Sequence, residues 1–215
     1  MSSTAQLIES AGLIPVLRAK TEKQAHAVVQ AMIKGGIRVV EVTMTVPGAV
    51  DLLKILKQEY GDTVLLGSGT VTTAKEAEQT IEAGAEFVVS PSLHEEVIFA
   101  TKNAGKLSIP GALTPTEVLT AHRAGADYVK IFPCSAMGGA PYLKALLAPF
   151  PFLKLIPTGG VTLHTAASFL EAGAKALGVG SDLVNLAAID EGKPEIITGA
   201  AEAYLQVLAK ARSQA

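Results

Sequence analysis

The sequence contains a single cysteine, Cys134. One cysteine can form neither an internal disulfide nor a thiolate metal cluster. Charge is also scarce, at 18% of residues with a formal net charge of -2. No block of Lys and Arg stands out, which argues against nucleic acid as the main partner. No run of about 18 apolar residues occurs, so no membrane span is expected. The opening Met1-Ser-Ser-Thr-Ala-Gln6 lacks the basic start and apolar core of a signal peptide, so a cytoplasmic protein is expected. The Gly-rich G-x-G-x-x-G turn of dinucleotide-binding folds is missing after the first apolar strand, where Leu17-Arg-Ala-Lys-Thr21 stands instead. Apolar residues, by contrast, are plentiful at 49%. No linker or shift in composition divides the chain, so residues 1–215 read as one domain with a large buried core.

The chain repeats itself. Four segments share one pattern: Lys34-Gly-Gly-Ile-Arg-Val-Val-Glu41, Glu82-Ala-Gly-Ala-Glu-Phe-Val-Val89, Arg123-Ala-Gly-Ala-Asp-Tyr-Val-Lys130 and Glu171-Ala-Gly-Ala-Lys-Ala-Leu-Gly178. Each reads as a helix end, a Gly in the left-handed cap position, then a buried strand. Further strands are expected at Ile14–Leu17, Val64–Gly67, Leu107–Ile109 and Lys154–Ile156. The apolar runs are continuous, as in parallel strands covered on both faces. Helical periodicity fills the gaps, for example over Glu22–Ile33 and Pro47–Leu56. Eight such strand–helix alternations predict an α/β fold, a (β/α)8 TIM barrel with a short extra N-terminal helix. An open doubly wound sheet is the main competitor. The last twenty residues read as a closing helix.

In a barrel of this type the active site lies at the C-terminal strand ends. Three ionisable residues stand out there: Arg18, Glu41 and Lys130. Lys130 lies in Asp127-Tyr-Val-Lys-Ile-Phe-Pro133, an apolar strand where a charge is costly. A buried amine is a candidate nucleophile for a carbonyl carbon. A lysine that snorkels from the strand end, or pairs with an acid, also fits. Glu41 is a carboxylate in a second apolar strand, and close to an amine it could cycle protons. A rim carboxylate is the plainer reading. Arg18 could hold a carboxylate or phosphate, or be a solvated loop residue.

Two glycine turns follow the last two strands: Pro157-Thr-Gly-Gly-Val161 and Gly178-Val-Gly-Ser-Asp-Leu183. Their N–H groups, with a helix expected to begin near Ser181, could cradle a phosphate. The four histidines, His26, His94, His122 and His164, fall away from strand ends, so no metal site can be assembled. Cys134 lacks a histidine partner and reads as a small loop residue.

Glu41-Val-Thr43, Gly67-Ser-Gly-Thr-Val71, Val129-Lys-Ile-Phe-Pro133, Pro157-Thr-Gly-Gly160 and Gly180-Ser181 occur in that order. From about Leu13 to Leu183, the chain resembles the 2-keto-3-deoxy-6-phosphogluconate (KDPG) aldolase family, which also cleaves 4-hydroxy-2-oxoglutarate. The resemblance implies a class I enzyme, free of metal and other cofactors, usually a homotrimer, acting on a phosphorylated keto acid. By motif, Lys130 matches the Schiff-base lysine and Glu41 the general acid/base. Thr70 matches a residue contacting the pyruvyl carboxylate. Gly159, Gly160 and Ser181 match the phosphate cradle, and Pro91 and Phe132 the pocket walls. Many members carry an arginine four residues after the glutamate, where this chain has Thr45; Arg18 is the candidate replacement. The stretches Lys130–Ala136 and Gly180–Leu183 also look like the galactonate branch, so the 2-keto-3-deoxy-6-phosphogalactonate epimer is an alternative substrate. A sugar-phosphate isomerase or epimerase, or a non-catalytic phosphate sensor, is a further alternative on the same barrel.

Overall fold

The computed structural model describes residues 3–61 and 63–213. Helix α1 (Thr4–Ala11) precedes strand β1 (Leu13–Leu17). The chain then runs α2 (Glu22–Lys34), β2 (Val39–Thr43), α3 (Ala49–Tyr60), β3 (Leu65–Gly69), α4 (Ala74–Glu82), β4 (Phe87–Val89) and α5 (Glu95–Asn103). Next come β5 (Leu107–Ile109), β6 (Gly111–Ala112), α6 (Pro115–Arg123), β7 (Val129–Ile131) and α7 (Ala140–Leu147). The remaining elements are β8 (Leu155–Pro157), α8 (Ala166–Glu171), β9 (Leu177–Val179), α9 (Leu186–Asp190) and α10 (Glu195–Ser213).

The helix ends follow from local chemistry. In α4 and α6, Thr73 and Thr114 accept from the N–H three residues on, while Glu76 and Glu117 reach back to close a capping box. The four repeats end as their glycines predict: Gly36, Gly84, Gly125 and Gly173 have φ of 95°, 108°, 96° and 100°. Only a residue without Cβ takes that conformation cheaply, and it turns the chain from helix into the next strand.

The expected single closed barrel of eight strands is not what forms. Nine parallel strands fall into two sheets, a six-stranded half-barrel ordered β5-β4-β3-β2-β1-β9 and a three-stranded sheet ordered β6-β7-β8. Proline explains the division. The expected fifth strand, Leu107–Ile109, forms as β5, and Pro110, which lacks an N–H, separates it from an additional strand, β6, that starts the second sheet. At the other seam β8 stops at Pro157, and β9 is joined to it by an isolated bridge, Thr158 to Gly178, and by the Lys175 N–H to Leu155 carbonyl hydrogen bond, without a continuous ladder.

Strand alternation sorts most of the core into two clusters, with a smaller third around Val71, Ala77, Val88 and Val97. Leu13, Leu17, Val40, Val42, Val129, Ile131, Leu155 and Leu177 pack outward against helices, with Val28, Met32, Leu52 and Tyr204. Ile14, Val39, Phe87, Ile109, Tyr128 and Ile156 pack inward with Ile8 of α1. Helix α1 therefore covers the N-terminal strand ends. Its Glu9 accepts from the Tyr128 hydroxyl (2.6 Å) and from Lys154 (3.0 Å). The Tyr128 hydrogen bond, with Lys154, holds the Glu9 carboxyl below its usual range despite an opposing contribution from burial.

Glu9→Gln is expected to cost about 1 kcal/mol at neutral pH, discounted for partial exposure. A depressed folded pKa gives stability that is present above the unfolded value and lost as pH falls through the folded one. The gap between wild type and variant should therefore close below about pH 4.5, which denaturant titrations at several pH values would measure.

Candidate active site

On β2, Glu41 shares the inward face of Val39; on β7, Lys130 shares the face of Tyr128. Since Val39 and Tyr128 meet in the inner cluster, each charged residue stands two positions further along its strand, above that apolar floor. Both are buried, Glu41 at 2% and Lys130 at 4% exposure. Lys130 pairs in register with Gly111 on one side and Ile156 on the other. Its amine lies 5.2 Å from the centre of the Phe132 ring, at cation–π distance.

Glu41 leans over Gly69. A Cβ at Gly69 would collide with the Glu41 carboxylate, and one at Gly67 with the Phe87 ring. Gly69 thus makes the space the carboxylate occupies, and Gly67 makes room for the Phe87 ring. Glu41 Oε1 is buried without a hydrogen-bond partner. Burial pushes the Glu41 carboxyl above its usual range, while the positive charges of Lys130 and Arg18 pull it back. Glu41 is therefore coupled electrostatically to both of the other candidate charges. A buried polar oxygen with no partner is costly; Thr101 Oγ1 in α5 is the other such atom among the described residues, but Glu41 alone of the two stands on a strand with opposite charges coupled to it.

A cavity of about 620 Å³ opens beside Phe132, and the buried Glu41 and Lys130 are not among the residues that line it. Arg18, Phe132, Gly159, Gly160 and Ser181 line it. Arg18 is exposed at the mouth. Gly159 and Gly160 have φ of 87° and 78°, a left-handed pair that turns the backbone at the cavity wall. Among the described residues, the N–H groups of Gly160 and Ser181 donate to no other backbone group. They can serve an anion. The helix expected near Ser181 does not begin there; Ser181–Leu183 is a turn, and α9 starts at Leu186.

Thr70 and Pro91 stand at the ends of β3 and β4, outside the lining of that cavity. Thr70 has φ 58°, a left-handed conformation that a β-branched residue adopts only under constraint. The Pro91 carbonyl packs so closely on Gly111 that a Cβ there would clash, which seats Pro91 beside the register partner of Lys130. Thr45, at the family's arginine position, is exposed and shares a 2.7 Å hydrogen bond with Thr43. The Thr43 hydroxyl also donates to the Leu17 carbonyl (2.7 Å), beside Arg18.

The family model for KDPG and KHG aldolase matches residues 5–199. The chain belongs to that family. It is 34% identical over 203 residues to the 2-dehydro-3-deoxy-phosphogluconate aldolase of Treponema pallidum (strain Nichols), covering 94% of this chain and 96% of the relative. It is 38% identical over 172 residues to the 2-dehydro-3-deoxy-6-phosphogalactonate aldolase of Escherichia coli (strain K12), covering 80% and 83%. A crystal structure of KDPG aldolase from Legionella pneumophila holds pyruvate captured at low pH as a covalent carbinolamine intermediate. It matches with a TM-score of 0.86 at 31% identity, over 94% of this chain and 98% of that one.

Sequence reasoning missed two residues that shape the surroundings of this candidate site. Gly69 lies in the Gly67–Val71 stretch, but its purpose shows only in space: the register pairs Glu41 with Gly67, and the Glu41 carboxylate reaches on over Gly69. Asp182 lines the cavity and accepts from the Leu163 N–H (3.2 Å) and the Tyr204 hydroxyl (2.5 Å). No local pattern announces a pairing across that distance in sequence.

Proposed function

We propose that the chain is a class I aldolase that cleaves KDPG to pyruvate and glyceraldehyde 3-phosphate. The observation that carries this is one buried lysine, Lys130, coupled to one buried carboxylate, Glu41, with the lysine amine 5.2 Å from the ring of Phe132, a residue that lines the cavity. Lys130 Nζ attacks the C2 carbonyl carbon, and loss of water leaves a protonated imine. Glu41 takes the proton from the C4 hydroxyl as the C3–C4 bond breaks, and its electron pair passes into the imine to form an enamine. The aldehyde departs, Glu41 returns the proton to C3, and hydrolysis frees pyruvate and the amine. A carboxyl whose pKa is raised by burial suits a proton that must be both taken and given back. The carbinolamine seen in the Legionella relative supports the same chemistry here.

Arg18 holds the substrate carboxylate in this reading, in place of the arginine that Thr45 replaces. Thr70, Pro91 and Phe132 shape the pyruvyl end, and Gly159, Gly160 and Ser181 receive the phosphate. Arg18→Ala is expected to raise KM for the keto acid about tenfold, the scale of one lost charge-assisted contact, with a smaller change in kcat. An unchanged KM in steady-state kinetics would remove Arg18 from the site.

Borohydride reduction in the presence of pyruvate, followed by peptide mass mapping, tests the proposal. The expected result is a single adduct on Lys130; no adduct there would sink it. The match to a phosphogalactonate aldolase favours that epimer as a second reading, and 4-hydroxy-2-oxoglutarate is a third substrate to compare. Relative kcat/KM across the three decides. One domain acting as a cytoplasmic homotrimer completes the proposal, and sedimentation equilibrium would test the assembly. No described helix is long and apolar enough to cross a membrane.

A further inference from the structure

The two glycine turns that rim the cavity come from different strands, and among the described residues no ladder holds them together. β8 and β9 meet at the Thr158–Gly178 bridge, at the start of the two turns, and at the Lys175 N–H to Leu155 carbonyl hydrogen bond below it. What fixes the distance between the turns higher up is a side chain. Asp182 sits next to Ser181 in the second turn, and its Oδ2 accepts the Leu163 N–H just beyond the first turn. The same oxygen accepts the hydroxyl of Tyr204, a fully buried residue of α10. Tyr204 lies beyond residue 199, where the family match ends. One carboxylate oxygen therefore ties both turns to the closing helix.

Charge makes this arrangement notable. Of the cavity's lining residues only Arg18 and Asp182 are charged, and Asp182 stands at the glycine end. A bare carboxylate there would repel a phosphate. A short hydrogen bond from a buried hydroxyl draws the negative charge toward α10 and away from the cavity.

We infer that Asp182 and Tyr204 form a positioning pair that sets the spacing of the phosphate-binding turns and shields the ligand from the carboxylate's charge. The inference rests on the phosphate assignment made above. It predicts a defect confined to the phosphorylated end of the substrate. D182A should raise KM for the phosphorylated keto acid about tenfold while kcat changes less than about twofold. The rate of borohydride trapping with pyruvate, which needs no phosphate, should stay at the wild-type value.

Two further variants separate positioning from general damage. D182N keeps an acceptor oxygen for Leu163 and Tyr204 and should retain the preference for phosphorylated substrate. Y204F removes the shielding hydroxyl and should weaken that preference, with D182N restoring it in the double variant. The experiment compares kcat/KM for phosphorylated and dephosphorylated substrate in wild type and all four variants. Loss of preference in D182A and Y204F with rescue by D182N supports the pair. A preference left intact in D182A, or a parallel loss of pyruvate trapping in D182A and Y204F, overturns it. A wild-type enzyme indifferent to the phosphate overturns the phosphate assignment and this inference together.

Discussion

Lys130→Met is expected to abolish both aldol cleavage and pyruvate trapping. The loss in kcat should be on the order of 10⁴-fold or more, because the nucleophile itself is removed and no neighbouring amine can replace it. Methionine nearly matches the shape of the lysine stem, so packing against Phe132 should survive. The electrostatic consequence falls on Glu41. Lys130 is one of two positive charges that hold down the Glu41 pKa. Without it the carboxyl should remain protonated to higher pH, which neutralises the site without unfolding it. Single-turnover kinetics and a thermal melt on the same sample would check both halves. Residual cleavage within about a hundredfold of wild type would point to an electrostatic role for Lys130 instead.

Glu41→Gln should produce the opposite pairing of effects, a slower but more stable protein. Turnover is expected to fall by about 10²–10⁴-fold, the range for a positioned acid–base group. Stability at neutral pH should rise. Burial raises the Glu41 pKa, so its ionisation penalises the folded state. For a raised folded pKa on an acid, the penalty is absent below the unfolded value near 4.5, grows as pH rises through the folded pKa, and is constant above it. The gain in E41Q over wild type should follow that curve. Its plateau is expected at about 1–3 kcal/mol, the usual cost of a buried polar group without a partner. Denaturant melts of both proteins from pH 4 to 8 would show it. A flat difference across that range would mean that folding leaves the Glu41 pKa unshifted.

The chain's own order made much of this readable. The four Ala-Gly or Gly-Gly repeats locate helix ends because a left-handed φ is a local demand that glycine alone meets cheaply, and all four glycines adopt it. Lys130 and Glu41 were visible because a charge inside an apolar strand is anomalous whatever the fold. The closed barrel was overdrawn because periodicity counts strands without asking whether their N–H groups can complete a ladder. Pro110 separates β5 from β6 and Pro157 ends β8 at the seams. The Ser181 helix was misplaced because its first turn does not continue: Gly180 accepts from Leu183 and Val184, but Asn185 is extended and its side chain caps α9 by accepting from the Ala188 N–H. The Asp182–Tyr204 contact spans 22 residues. It depends on how α10 returns across the strands, which no local pattern encodes.

Helix α1 covers the N-terminal strand ends, and Arg212 near the end of α10 donates to the Glu9 and Ser10 carbonyls of α1. The first and last helices are thus tethered to each other on the side opposite the cavity mouth. A cargo or surface linked through either helix would pull against that tether and not across Glu41 and Lys130. An immobilised form of the protein anchored there would keep its mouth turned toward the reactant stream.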